Sequence, residues 1–426
     1  MKTTKLFFMA ALAMMTAACS NDDNDLTQQP AKAEGIPFTA TISLDQSATT
    51  RALTENGTTI EATWATGEKV ALIYTVSATT YLKEAEVTPQ GDGTATISTT
   101  LEGSPADDTD VTIIYPYSAV DGTTKDVKTD LLASQNGLLT GTGSIAEKYE
   151  LRKTTTPAKL KIDGTTASLK GTVSLTNQNA IFKLTLKDID GTNDVSATSV
   201  VISDQTGVVT TVTPASATNV MHVALPTTAT TLKFLVTGSD SKKYFNMASS
   251  LSLGASYYQS TVKLATVGDV ILSTGKCAKA GTGSPVAMIA YLGNGSNCTN
   301  GLAIQLNASP ESMDWSAARS YSSYPSITGN PGTWRLPSKA DWQNMFVGCA
   351  KSGDAGASDS MNPIAGFKEK IGATGTTWQS GIYWSSTDSG SNAWRLLVNL
   401  NGGIARANFS EGDTSYPYGV LGCLAF

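Results

Sequence analysis

Four cysteines, Cys277, Cys298, Cys349 and Cys423, all fall in the last part of a 426-residue chain. Thiols in a protein can bridge, hold a soft metal or attack a substrate, and their neighbours decide which. No CxxC pair is present, and the only histidine, His222, stands well upstream between Met221 and Val223. A lone histidine excludes catalytic triads and His-based metal sites. It reads instead as a satisfied structural histidine in a strand. An even number of cysteines confined to one region points to two disulfides, with zinc as the alternative; four cysteines allow three pairings and the spacing does not choose among them. Carboxylates are plentiful, yet no spacing singles out a pair for glycoside cleavage. The expectation is a protein that is not an enzyme and holds no metal or cofactor.

The same region carries six of the seven tryptophans: Trp315, Trp334, Trp342, Trp378, Trp384 and Trp394. Aromatic faces stack on pyranose rings, so each is a candidate sugar platform. Trp342 is assigned to a core by its helical spacing, and Trp334 and Trp384 to local fold motifs. Trp378, in the Gly/Thr-rich stretch from Gly372 to Gly381, is left as the exposed ligand-binding candidate. Asp354, Asp359, Asn362, Asp388, Asn392 and Asn401 offer the oxygen ligands that calcium prefers, but read as ordinary turn residues.

The first residues fix the compartment expected. Lys2 and Lys5 precede an apolar run from Leu6 to Met15, too short to span a membrane and suited to a signal peptide. Met15-Thr-Ala-Ala-Cys19 then looks like a lipobox, in which Cys19 is acylated and becomes the first residue of an outer-membrane lipoprotein anchored by palmitate and related chains. Asp22, Asp23 and Asp25 follow at once. Charged residues make up only 15% of the chain and the net charge is -6, so nucleic-acid binding has no electrostatic footprint.

These residues need elements to position them. Residues 1–18 are expected as signal peptide and 19–35 as a lipidated linker. From Ile36 to about Leu264, short Thr- and Val-rich runs alternate with period two, as in Phe38-Thr-Ala-Thr-Ile-Ser-Leu44 and Leu232-Lys-Phe-Leu-Val236. That pattern predicts antiparallel strands with one face buried, grouped as two β-sandwiches over 36–160 and 161–266. Residues 267–426 predict a compact α+β domain. Ser309-Pro310-Glu311 reads as one helix start; a second helix follows Ser338, capped with Asp341, and buries Trp342, Met345, Phe346 and Cys349.

Two resemblances cover nearly the whole mature chain. The first half resembles the fimbrillins of Bacteroidetes, the subunits of type V pili, through Phe38-Thr-Ala-Thr-Ile42, Thr50-Arg51-Ala52, Trp64-Ala-Thr-Gly-Glu-Lys-Val70, Asn179-Ala-Ile-Phe-Lys-Leu184 and Gly254-Ala-Ser-Tyr-Tyr258. The acidic run behind Cys19 is similar to the surface-export signal of lipoproteins in those bacteria. The last part resembles a C-type-lectin-like module through Gly332-Thr-Trp-Arg-Leu-Pro-Ser338, Ala340-Asp-Trp342, Tyr383-Trp-Ser-Ser-Thr387 and Gly422-Cys423. The calcium triplets of sugar-binding members are absent. Formylglycine-generating enzymes share a related fold and the Trp-Arg-Leu-Pro segment, but nothing marks a cysteine here as a low-pKa thiol.

The resemblances imply a mainly β chain: two transthyretin-like antiparallel β-sandwich domains, then the C-type-lectin-like domain. They also imply a history. A trypsin-like protease would cut after Arg51, leaving Ala52 as the new N-terminus. The strand around 38–44 would be lost, and a neighbouring pilus subunit would donate a replacement. A chain that accepts a strand, and whose C-terminal residues run into a lectin-like domain, fits the tip of a fimbrium at the cell surface, where it would adhere to a glycan or host protein. The alternative is a stand-alone surface lipoprotein that binds such a ligand without polymerising.

Overall fold

A computed structural model describes residues 35–426 except 45–53, 57–58, 62, 92, 249, 296–297, 307–310, 330–331, 359 and 402–403. Cys19, Arg51, Ala52, Ser309, Pro310 and Asp359 therefore lie outside the described residues. The chain is mainly β, as its alternation predicts. Among the described residues no helix is long and apolar enough to cross a membrane.

The first sheet has nine strands and closes on itself. Its opening strand, Ile36–Leu44, runs antiparallel to Thr94–Leu101 on one side. On the other it runs parallel to Thr166–Leu169 and Val173–Asn177. Two contacts close the ring, this one with Thr94–Leu101 and one between Ala158–Asp163 and Asp110–Tyr115. Phe38, Ala40, Ile42 and Leu44 point inward onto Trp64, Val70, Leu72, Tyr74, Ile97 and Leu175.

Two expectations change here. The sheets are mixed rather than purely antiparallel, because the first strand and Asn179–Asp188 both find parallel partners far along the chain. Parallel partners need long crossovers, which local alternation does not reveal. In addition, strands from Ala158 to Asn177 all belong to the first sheet, so pairing carries that unit past the expected division at 160/161.

The second unit packs a three-stranded sheet (Val220–Pro226, Asn179–Asp188, Tyr257–Leu264) on a five-stranded one (Lys243–Ala248, Leu232–Gly238, Ala197–Ser203, Val208–Val212, Ser134–Gln135). Phe182, Leu184, Ile202, Met221, Phe234 and Val236 fill the space between them. The last strand of the second sheet, Ser134–Gln135, comes from a loop of the first unit. There the Gln135 amide donates to the Ala224 carbonyl at 2.8 Å and accepts from the Ala224 N–H at 2.9 Å. That satisfies a buried side chain by clipping one sandwich to the next.

Among the described residues the terminal module holds two six-stranded sheets and three helices, in keeping with the α+β expectation. The first helix, α1 (Trp315–Arg319), starts later than Ser309-Pro310 suggests. Its cap is Asp314, whose carboxylate accepts from the Ala317 N–H at 2.8 Å. The residues just before it, Ser312–Met313, pair as a strand with Tyr418–Gly419, so the extended backbone there displaces the helix start. The second, α2 (Lys339–Cys349), follows the expectation closely. Ser338 and Asp341 form a reciprocal capping box, and Trp342, Met345, Phe346 and Cys349 are buried. The third, α3 (Ala365–Ala373), has no local side-chain cap. Asp354 substitutes from a distance, accepting from the N–H groups of Ala365 (3.0 Å) and Gly366 (2.7 Å). A side chain at Gly366 would strike the Cys349 carbonyl at 2.3 Å, so the close approach of α3 to α2 requires glycine.

Candidate functional site

Two regions gather the residues singled out in the sequence: the slot around strand 36–44, and the terminal module built on the Trp-Arg-Leu-Pro segment.

Strand 36–44 is held by backbone pairing along both edges and by one buried face. Phe38, Ile42 and Leu44 are each 5% exposed or less. Burial of side chains this size stabilises by roughly 1.5–3 kcal/mol each. Removing the strand would uncover that apolar slot and leave Thr94–Leu101 and Val173–Asn177 with unpaired edges. Only an extended segment with alternating apolar side chains could restore both contacts. The opposite face, Thr39 and Thr41, is exposed and makes few demands. Trp64, from the resembling Trp64–Val70 segment, closes the slot and packs edge-on against Tyr115 with ring centroids 5.4 Å apart.

In the terminal module the Gly332–Ser338 segment acts as a clasp. Thr333, Trp334 and Arg335 pair with Ala425, Leu424 and Cys423. A Cβ at Gly332 would meet the Ala425 carbonyl at 2.0 Å, so glycine is required for the approach. Trp334 stacks on Tyr324 at 5.6 Å. Arg335 grips the buried Asp341 carboxylate through Nη2 (2.8 Å) and Nε (3.3 Å). Leu336 is buried, and Ser338 then caps α2. Gly332, Thr333, Trp334, Arg335, Leu336 and Ser338 therefore each have a folding task. Trp384 likewise is fully buried, donating from Nε1 to the Met313 carbonyl at 2.8 Å.

Trp378 does not have the exposure expected of it. It is 7% exposed, stacked between Tyr383 (5.6 Å) and Trp342 (6.4 Å) with Phe367 at 5.1 Å. The indole packs among these rings and belongs to the module core. His222 stacks on Tyr257 at 6.5 Å in its strand. Asp388 accepts from the Gly390 N–H at 2.7 Å, and Asp354 caps α3, so both fit the reading as structural turn residues.

The two expected disulfides are not formed. Cys277, Cys298, Cys349 and Cys423 are all free thiols. Cys298, Cys349 and Cys423 share the module core, Cys349 with its Sγ near the Ala290 carbonyl (3.4 Å) and Cys298 by the Gly293 carbonyl (3.7 Å). Cys277 sits on an edge strand in a separate core cluster. Burial pushes the Cys349 thiol up to about 12 and raises Cys423 as well. That is the reverse of the activation a nucleophilic thiolate requires.

Sequence reasoning missed a cleft of about 520 Å³ where the second sandwich meets the terminal module. Strand alternation points Leu232, Phe234 and Val236 into the sandwich core, so Lys233 and Leu235 face the module. Leu235 joins an apolar junction with Phe245, Ile289, Leu424 and Phe426. Lys233, at its margin, enters the cleft together with Asn294, Thr299, Thr333, Arg335 and Phe426. The available signal was a lone lysine in the apolar run Leu232–Val236.

No family model matches the chain, and no curated protein matches it. Solved structures with some likeness include a fimbrial protein from Bacteroides ovatus, at 14% identity and TM-score 0.26 over 92% of this chain and 99% of that one. A candidate cell adhesion protein from Bacteroides ovatus matches at 13% identity and TM-score 0.34, covering 55% and 96%. A fimbrial assembly protein from Parabacteroides distasonis matches at 10% identity and TM-score 0.28, covering 53% and 89%. At these identities and scores the likenesses decide neither fold nor function.

Proposed function

We propose that this chain is a structural and adhesive subunit of a fimbrium, exported as a lipoprotein through Cys19, cut after Arg51 and assembled by donor-strand exchange. The observation that carries this reading is the position of strand 36–44. It fills an apolar slot between two flanking edges, and Arg51 lies in the sequence between that strand and the next one of the same sheet, Lys69–Val76. Cleavage at Arg51 would therefore free the strand without cutting any other strand of the sheet. The module at the other end supports a tip position. Strand Cys423–Ala425 lies between Gly301–Gln305 and Thr333–Arg335 and is engaged within its own domain. The clasp formed by Gly332–Ser338 supports a C-type-lectin-like reading of that module, which would present the adhesive surface to a glycan or host protein.

Limited trypsin digestion of the folded chain, with the new N-terminus read by mass spectrometry, tests the reading. One cut yielding a folded product that begins at Ala52 and gains affinity for a partner pilin, or for a synthetic strand peptide, is expected. Resistance at Arg51, or a cut without any gain of strand binding, would favour the stand-alone surface lipoprotein.

A further inference from the structure

The cleft between the second sandwich and the terminal module is independent of strand exchange and stands apart from the Trp-rich core. We propose that it binds an acidic monosaccharide, a pyranose whose carboxylate pairs with Lys233 and whose hydroxyls meet Asn294, Thr299 and Thr333.

The charge comes first. Among the described residues none makes an ion pair or side-chain hydrogen bond to Lys233. Its neighbours in register are Ser203 and Met247, and neither carries charge. Burial draws the ammonium below the ordinary lysine value, with no acidic group acting in the other direction. A partly desolvated cation without a counter-charge is stabilised by an arriving anion. Arg335, the second cationic side chain of the cleft, has its fork on Asp341, so that pair is balanced.

Size and lining then narrow the class. About 520 Å³ falls within the range of small-ligand sites. One amide and two hydroxyls suit a polyhydroxylated ring, since each can donate or accept. Phe426 supplies an apolar wall, and it is fixed in place by Phe245 with ring centroids 4.5 Å apart. A single cation against several neutral polar groups matches one carboxylate on a sugar better than a polyanion.

The test is calorimetric titration of the full chain with D-glucuronate, and with D-glucose as the neutral control. Saturable glucuronate binding is expected, at least tenfold weaker for glucose and at least tenfold weaker in Lys233→Met. Lys233→Arg should retain most of the affinity. Thr333→Val, which keeps side-chain shape on an exposed position, should weaken binding several-fold and guards against misfolding of the lysine variant. Absence of glucuronate binding, equal binding of glucose, or unchanged binding in Lys233→Met with an unchanged thermal midpoint would each overturn the proposal.

Discussion

Strands Ile36–Leu44 and Cys423–Ala425 are each paired along both edges, and each contributes buried side chains, yet they are embedded differently. The first presents one apolar face to a single core and leaves Thr39 and Thr41 exposed. The second sends Cys423 into the module core and Leu424 into the junction with the second sandwich, where Phe426 follows it. A strand committed to one core can be replaced by any segment with the same alternation. A strand committed to two cores is specified on both faces, and its replacement would have to satisfy both at once. Exchangeability in a β-protein is thus set less by hydrogen bonds, which any backbone can make, than by how many cores the side chains serve.

The largest expected effect bears on the doubly committed strand. Phe426→Ala should cost about 3–5 kcal/mol, as for other large-to-small core changes. Because Phe426 spans the junction, urea unfolding followed by separate probes in the sandwich and the module should lose its coincidence; retained coincidence would weaken the comparison. Next, Ile42→Ala should cost about 2–5 kcal/mol in the intact chain. In chain cut after Arg51 and stripped of its first strand, the same substitution should make no difference, since the residue is gone. A persisting difference would show that the strand is not released.

A smaller effect is expected at the clasp. Ser338→Ala removes the α2 cap and should cost about 1 kcal/mol by thermal unfolding, with Ser338→Asp restoring most of it. The smallest concerns the wall of the first-strand slot. Asp107 accepts from the Ile162 N–H at 3.0 Å and from Lys170 at 2.7 Å, pinning the hairpin that flanks strand 36–44. The Lys170 hydrogen bond, then the Ile162 one, hold its carboxyl below the usual aspartate value. A lowered folded-state pKa contributes stability that is present above about pH 3.9 and lost as pH falls through the lowered value. Asp107→Asn should therefore flatten the thermal midpoint between pH 5 and 2 slightly, relative to the unsubstituted chain.

Much of this architecture was legible in local sequence. Alternation named strand 36–44 and its inward residues, and Ser338 with Asp341 announced α2 and its buried face. Those signals work because capping and pleating act over a few residues. Parallel pairing of Ile36–Leu44 with Val173–Asn177 depends on register across a long stretch of chain, and no local pattern encodes it. The start of α1 slipped because a strand pairing with Tyr418–Gly419 overrode the Ser-Pro-Glu signal. Trp378 and the four thiols depart from expectation for a related reason: composition shows that a residue could be exposed or bridged, but only three-dimensional packing decides it. Lys233 stood in plain view, yet it becomes noteworthy only once Leu235 is known to face the terminal module.

The clip made by Gln135 also dictates the order in which the units can be finished. Its amide waits for Ala224, 89 residues further along the chain. Residues 134–135 can join their sheet only when the second sandwich is present, so a chain truncated ahead of Val208 could close its first sheet but would leave this loop without its strand partner.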